Sequence, residues 1–247
     1  MPKRHEEEIE MSNPFFKFKQ FTVYHDRCAM KVGTDGVLLG AWASVDGCTH
    51  LLDVGTGSGL IALMLAQRCR NAFVTAIDPD VDAIKQAEDN VKASPFADRI
   101  TVVGKRFQDF TIKTSRPFDL IVCNPPFFAR SLLPPDAGRA NARHSVSLSL
   151  EELMQGAHRC LSPEGHLALI LPAERLVEMT ALSAQLGFQL RRLTHVVPSS
   201  GKPVRRILAE FSRSPGEPVE TELLLEVSRH RYSPAYIELV RDFYLNL

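Results

Sequence analysis

Apolar positions along the chain fall into short runs rich in β-branched residues, separated by longer stretches with one apolar face. Leu51-Leu52-Asp53-Val54 predicts a buried strand, Leu60 to Arg68 a helix, Ala72 to Ile77 a strand and Val81 to Lys92 a helix. The alternation continues with strands at Ile100 to Val103 and Phe118 to Cys123, a helix from Ser149 to Cys160 and a strand at His166 to Leu171. Strands that alternate with crossover helices imply a parallel sheet covered by helices on both faces. Thr34 to Trp42 reads as a leading helix capped by Thr34 or Asp35. Arg191 to Glu210 and Leu223 to Val227 read as final strands, joined by a loop containing Ser214-Pro215-Gly216-Glu217-Pro218. The stretch 128–147 has no period, and a long irregular segment inside a domain is a functional loop or a disordered one.

At 247 residues the chain has room for one large α/β domain. The expected layout is a flexible tail over 1–13 and a single domain over 14–247, with its core at about 30–175 and late strands and contact loops at 187–247. The charged opening Met1-Pro2-Lys3-Arg4-His5-Glu6 lacks the apolar core of a secretory signal, and no apolar run approaches the ~20 residues needed to span a bilayer. Five scattered cysteines without C-x-x-C spacing support neither a disulfide framework nor a metal site, so a cytoplasmic protein without metal is expected; a monomer is expected as well. A net charge of zero argues against a protein that coats polyanions but leaves room for a local basic patch.

Gly55, Gly57 and Gly59 lie between a predicted strand and a predicted helix, where glycine lets the backbone turn sharply and approach a ligand closely. Such a turn alone can be just a tight connection. Asp78, however, ends the next strand about twenty positions on, where an acidic side chain accepts ribose hydroxyls. Asp53 places a negative charge beside the loop, which repels a pyrophosphate and attracts a cation. Asp53 to Gly59 resembles motif I of the class I S-adenosylmethionine methyltransferases, and Asp78 resembles their acidic motif II residue. The resemblance implies a Rossmann-like fold with a seven-stranded, mostly parallel sheet and S-adenosylmethionine as cofactor. It also implies an adenine contact from Asp109, whose alternative reading is a solvated turn carboxylate.

Asn124-Pro125-Pro126-Phe127 follows the strand Phe118 to Cys123, at the carboxyl end of the sheet where open α/β folds bind ligands. Asn-Pro also opens ordinary turns. An exocyclic amino group is a poor nucleophile because its lone pair is delocalised. The Asn124 side-chain oxygen and the Pro125 carbonyl can accept its two hydrogens and aim the lone pair at a methyl group, while Phe127 stacks on the plane. The tetrapeptide resembles the motif of amino-group methyltransferases, whose targets are adenine N6, guanine N2 in ribosomal RNA, or release-factor glutamine.

Basic and aromatic residues favour RNA among these: Phe128, Arg130, Arg139, Arg143 and His144 in the loop after the motif, and Arg191-Arg192 with Lys202 to Arg206 in the late strands. Phe15 to Phe21 interleaves aromatics with lysines, as either a packed strand or a base platform. Only about thirty residues precede the Thr34 helix, too few for the helical domain usual in glutamine methyltransferases. With Lys31 to Gly40 added, the pattern resembles the bacterial tRNA1(Val) adenine-N6 methyltransferase family. That implies modification of the adenosine just 3′ of the valine anticodon (position 37), contacts to the anticodon loop from Phe128, Arg130, Arg139, Arg143, Arg205 and Arg206, and Thr34 and Asp35 near the cofactor's methionine end.

Overall fold

The computed structural model describes residues 13–113, 117–125 and 148–246. A small antiparallel hairpin, β1 (Phe15–Lys17) and β2 (Thr22–Tyr24), precedes α1 (Thr34–Trp42). The core then runs β3 (His50–Val54), α2 (Leu60–Arg68), β4 (Phe73–Asp78), α3 (Val81–Lys92), β5 (Ile100–Gly104), α4 (Phe107–Lys113) and β6 (Phe118–Cys123). Next come α5 (Leu150–Cys160), β7 (Leu161–Pro172), a 3-10 turn (Ala173–Arg175), α6 (Leu176–Gln185), β8 (Gln189–Ser199) and β9 (Arg206–Ser212). The chain closes with β10 (Val219–Ser228), β11 (Arg231–Tyr232) and α7 (Pro234–Val240).

The main sheet is nine-stranded rather than seven-stranded, in the order β11-β10-β8-β9-β7-β6-β3-β4-β5. The two additional strands extend the β8 side. β10 pairs parallel to β8 from Val219↔Arg192 to Glu226↔Ser199, and β11 pairs antiparallel to β10. Only β9, between β7 and β8, and β11 run against their neighbours. The extension is held by burial: Leu223 of β10 joins the core below Tyr236 and Val240 of α7.

Strand side chains alternate between two apolar layers, as a period of two requires. Leu51, Val74, Leu120 and Ile170 face the layer that holds α1, α2 and α7. Leu52, Ile77, Ile121 and Leu169 face the layer that holds α5 and Met179 of α6. Because both faces are covered, β3 and β6 are almost wholly buried, which is why they read as unbroken apolar runs.

The predicted helix bounds at Leu60–Arg68 and Val81–Lys92 hold, and Ser149 caps α5 in a reciprocal box with Glu152. The predicted side-chain cap of α1 does not form. Gly33 occupies that position, and Thr34 and Asp35 are already helical, so their side chains are free for other partners. The segment 15–21 is a packing element: Phe18 and Phe21 are buried, and Phe18 stacks on Tyr244. Residues 1–12 of the expected tail lie outside the described residues.

Candidate active site

The parallel registers bring the motif residues to one edge of the sheet. Val54 pairs with Ile77 in β4 and with Cys123 in β6, so Gly55, Asp78 and Asn124 stand side by side where three adjacent strands end. Parallel neighbours are about 4.8 Å apart, so Asn124 lies roughly one strand spacing from the glycine loop.

The loop is held from within. Gly55, Gly57 and Gly59 have φ of 73°, 54° and 82°, in the left-handed region that side chains disfavour. The amides of Gly55 and Thr56 donate to the Ile77 carbonyl, and Gly57 N–H donates to Asp78 Oδ2 at 3.0 Å. Gly59 caps α2 against the backbone of Ala87, while buried Asn90 donates from its amide to the Ser58 and Tyr24 carbonyls at 2.8 Å. A Cβ added at Gly55 or Gly57 would meet nothing within 4 Å among the described residues, so open space faces the loop there.

Asp53 is fully buried beneath that space. Its Oδ2 accepts from Thr56 Oγ1 at 2.6 Å and Ala62 N–H at 3.2 Å, whereas Oδ1 is buried without a hydrogen-bond partner among the described residues. Burial pushes its carboxyl up to about 7, against the two hydrogen bonds and with help from the charge of Asp78. Asp78 is half-buried, accepts from the Asp80 amide at 2.9 Å as well as from Gly57, and is also raised, mainly by burial. Two adjacent carboxylates thus lie at the glycine loop, one with a buried oxygen that has no hydrogen-bond partner among the described residues.

The remaining residues divide. Asp109 lies in the first turn of α4 rather than in a turn, half-exposed, with Arg106 bound to both of its oxygens at 2.7 and 3.1 Å. Thr34 and Asp35 begin α1, which packs beside the loop: a Cβ added at Gly36 would lie 3.0 Å from Leu60 Cδ2. Asp35 accepts from Arg206 Nε at 2.8 Å. The late basic cluster is not one patch. Arg192 and Arg206 lie toward opposite ends of the β8–β9 pair, and Arg192 sits over the Trp42 ring at 3.6 Å, ion-paired to buried Glu210 at 3.3 Å. Arg192 is therefore structural, which corrects its reading as an RNA contact. Phe127, Phe128, Arg130, Arg139, Arg143 and His144 lie outside the described residues.

Sequence reasoning missed Thr56 and Asn90, which hold Asp53 and the loop in place. Thr56 sits three positions after Asp53 and was legible as a local partner; Asn90 lies a helix away and carried no signal. A cavity of about 550 Å³ between Lys19, Asp46, Arg68 and Arg70 opens at the opposite edge of the sheet, and no motif residue lines it. Among the described residues no helix is long and apolar enough to cross a membrane.

A glycine loop, an acidic strand end and an Asn-Pro strand end along the carboxyl edge of this sheet define the class I methyltransferase fold. The chain belongs to the methyltransferase small domain family, whose model matches residues 37–191. It is 48% identical over 238 residues to a tRNA1(Val) (adenine(37)-N6)-methyltransferase of Parabacteroides distasonis, covering 96% of this chain and 100% of the relative. A protein of the same name from Bacteroides fragilis is also 48% identical, with the same coverage of both chains. The crystal structure of a predicted O-methyltransferase from Agrobacterium tumefaciens superposes with a TM-score of 0.66 at 20% identity, covering 85% of this chain and 96% of that one. That likeness speaks to the fold alone. The methyl donor of the family is S-adenosylmethionine, and the partnerless Asp53 oxygen and the open loop fit its cationic end.

Proposed function

We propose that this protein transfers a methyl group from S-adenosylmethionine to N6 of an adenosine in tRNA, the anticodon-adjacent adenosine 37 of tRNA1(Val). The observation that supports the reading is the register Val54↔Cys123, which brings Asn124 level with Gly55; Asn124 and Pro125 are the residues we propose accept from the target amino group. The substrate is supported by relatives that bear this activity in their names and match nearly the whole chain.

When bound, S-adenosylmethionine supplies a methyl carbon on a positively charged sulfur. Asp53, ionised, balances the cationic amino-acid end, the glycine loop leaves room for the backbone to approach, and Asp78 accepts ribose hydroxyls. Thr34 and Asp35 line the methionine side, and Asp109 reaches the adenine end once it shares or releases Arg106. The Asn124 side-chain oxygen and the Pro125 carbonyl take the two N6 hydrogens. This turns the nitrogen lone pair toward the methyl group, while Phe127 stacks on the target ring. The proline rings restrict the backbone here, which holds the carbonyl in place before substrate arrives. The proton leaves only after nitrogen has become cationic, so a strong base is not required. Cations at Arg130, Arg139, Arg143, Arg205 and Arg206, with Phe128, meet the anticodon loop of the cytoplasmic tRNA. That loop is single stranded, which lowers the cost of placing the base.

The test is transfer of labelled methyl to tRNA from cells lacking this protein, followed by nucleoside analysis. Label in N6-methyladenosine is expected; label in protein or ribosomal RNA alone refutes the tRNA assignment. Asn124→Ala should keep cofactor affinity and lower turnover roughly a hundredfold or more. Unchanged turnover would remove Asn124 from the site.

A further inference from the structure

On the same carboxyl edge, past β7 and β9, a pocket of about 320 Å³ opens between the start of α1 and the ends of β8 and β10. Its lining is divided by chemistry. Leu38, Val196, Pro198 and Leu225 supply an apolar side. Asp35 and Arg206 supply a polar wall, already paired to each other at 2.8 Å. Arg206 is further engaged with the Arg205 carbonyl at 3.2 Å. The Arg205 guanidinium also lines the pocket; it is exposed and has no hydrogen bond or ion pair among the described residues. Lys202 is exposed on the turn that leads into the same segment.

The pocket is linked to the candidate site through the sheet. β6, which ends at Asn124, pairs with β7; β7 pairs with β9 through Pro172↔Arg206; and the Ala173 amide donates to the Arg205 carbonyl at 3.3 Å. Two strand spacings separate β6 from β9, and three and four separate it from β8 and β10, roughly 10 to 19 Å across the pocket. That is about three to six stacked nucleotide steps of ~3.4 Å, too far for the target adenine itself and within reach of a neighbour on the same strand. An apolar side suits the face of a base, a preformed carboxylate–guanidinium wall suits its polar edge, and an uncommitted arginine suits a phosphate. Thr34 and Asp35 belong both to this pocket and to the helix beside the glycine loop, so the pocket sets the substrate strand against the cofactor side.

We propose that this pocket is a nucleotide subsite: it receives a base of the substrate RNA about three to six positions from the target adenosine, with Arg205 on that nucleotide's phosphate. The proposal rests on the tRNA methylation reading above.

The test uses the full chain, S-adenosylmethionine and unmodified tRNA1(Val). Arg205→Ala, at an exposed position, should raise KM for tRNA roughly tenfold with kcat little changed. It should also lower the slope of log(kcat/KM) against log salt by about one. Arg205→Lys should restore most of both. A second arm uses tRNA made abasic at single positions flanking the target. One such position should cost the parent enzyme roughly tenfold in KM, and this cost should vanish in Leu225→Ala, the non-additivity expected of a direct contact. A merely structural role for Leu225 would leave the abasic cost intact. An active parent enzyme with KM and salt slope unmoved by Arg205→Ala, or with equal abasic costs in both proteins, overturns the subsite and leaves the function standing. A parent enzyme that does not methylate tRNA overturns both.

Discussion

Among the described residues two carboxylates are buried in the sheet region, and they are treated in opposite ways. Glu210, in β9, is 4% exposed and fully engaged. It accepts from the Ser44 amide at 2.7 Å and the Ser44 hydroxyl at 2.9 Å, with the Arg192 guanidinium beside it. Asp53, in β3, is 0% exposed, has two neutral donors on one oxygen, none on the other, and no cation beside it among the described residues. A buried charge is tolerated when a partner is built in. At Asp53 no such partner is built in among the described residues, which is what the proposed role toward a cationic cofactor would use.

The largest expected effect breaks the Glu210 side. Glu210→Ala leaves Arg192 without its anion and the Ser44 donors unsatisfied, and should cost about 3 kcal/mol. For a chain of this size that is roughly a 6–12 °C fall in Tm, read by thermal unfolding. Methyl transfer at a temperature where the variant stays folded should be little changed. A Tm within a degree of the parent would show that the network is not structural.

Asp53→Asn should do the reverse. It keeps an oxygen for Thr56 and Ala62 while removing the buried charge, so Tm without cofactor at pH 8 should rise by about 2 °C or more. Cofactor affinity should fall roughly tenfold to a hundredfold, measured by calorimetry. A lower Tm together with unchanged affinity would make Asp53 a structural carboxylate like Glu210.

The pH dependence sharpens the same contrast. The folded Asp53 carboxyl is raised from 3.8 to about 7, so between those values the folded chain holds a proton that the unfolded chain has released. Its contribution to stability is therefore complete below about 4 and is lost as pH rises through about 7. Cofactor binding has the opposite sign, because the cation needs the ionised form, so affinity should fall by up to tenfold per unit as pH drops below about 7. Asp53→Asn should flatten this limb, and an unchanged profile in the variant would place the titration elsewhere.

The smallest effect concerns the half-exposed pair at the pocket. Arg206→Gln breaks a 2.8 Å contact whose side chains are 38% and 36% exposed, and solvent screening should hold the stability change below about 1 kcal/mol. A larger loss would mean that the pair holds α1 to β9 rather than shaping a binding surface.

Much of the fold was legible because the deciding signals are local. A glycine that must adopt positive φ, a Ser with a Glu three residues on, and an apolar period of two or 3.6 each act within a single turn or strand. That is why α2, α3 and β6 emerged with the right bounds and the helix expected from Ser149 to Cys160 differs only in that Ser149 is its cap. α6 was not foreseen, since its apolar residues do not trace a sharp stripe, and α4 was passed over as a turn around Asp109. Leu223 to Val227 read as a strand, but its place beside β8, with Leu223 beneath α7, and the addition of β11 are tertiary outcomes that no local pattern records.

From the sequence alone come the parallel α/β class, the glycine loop with its acidic neighbours, and the Asn-Pro strand end, because each is a short stretch whose chemistry is its own. The tertiary structure alone decided which of these stand together and which charges are spent. Register aligned Gly55, Asp78 and Asn124 on one edge. The antiparallel course of β9 carried Arg192 and Arg206 to different environments, one against Glu210 and the Trp42 ring, the other to Asp35, 171 residues away in the chain. Charge is written in the sequence, but whether it is buried, paired or left for a ligand is set by neighbours that only the folded sheet supplies.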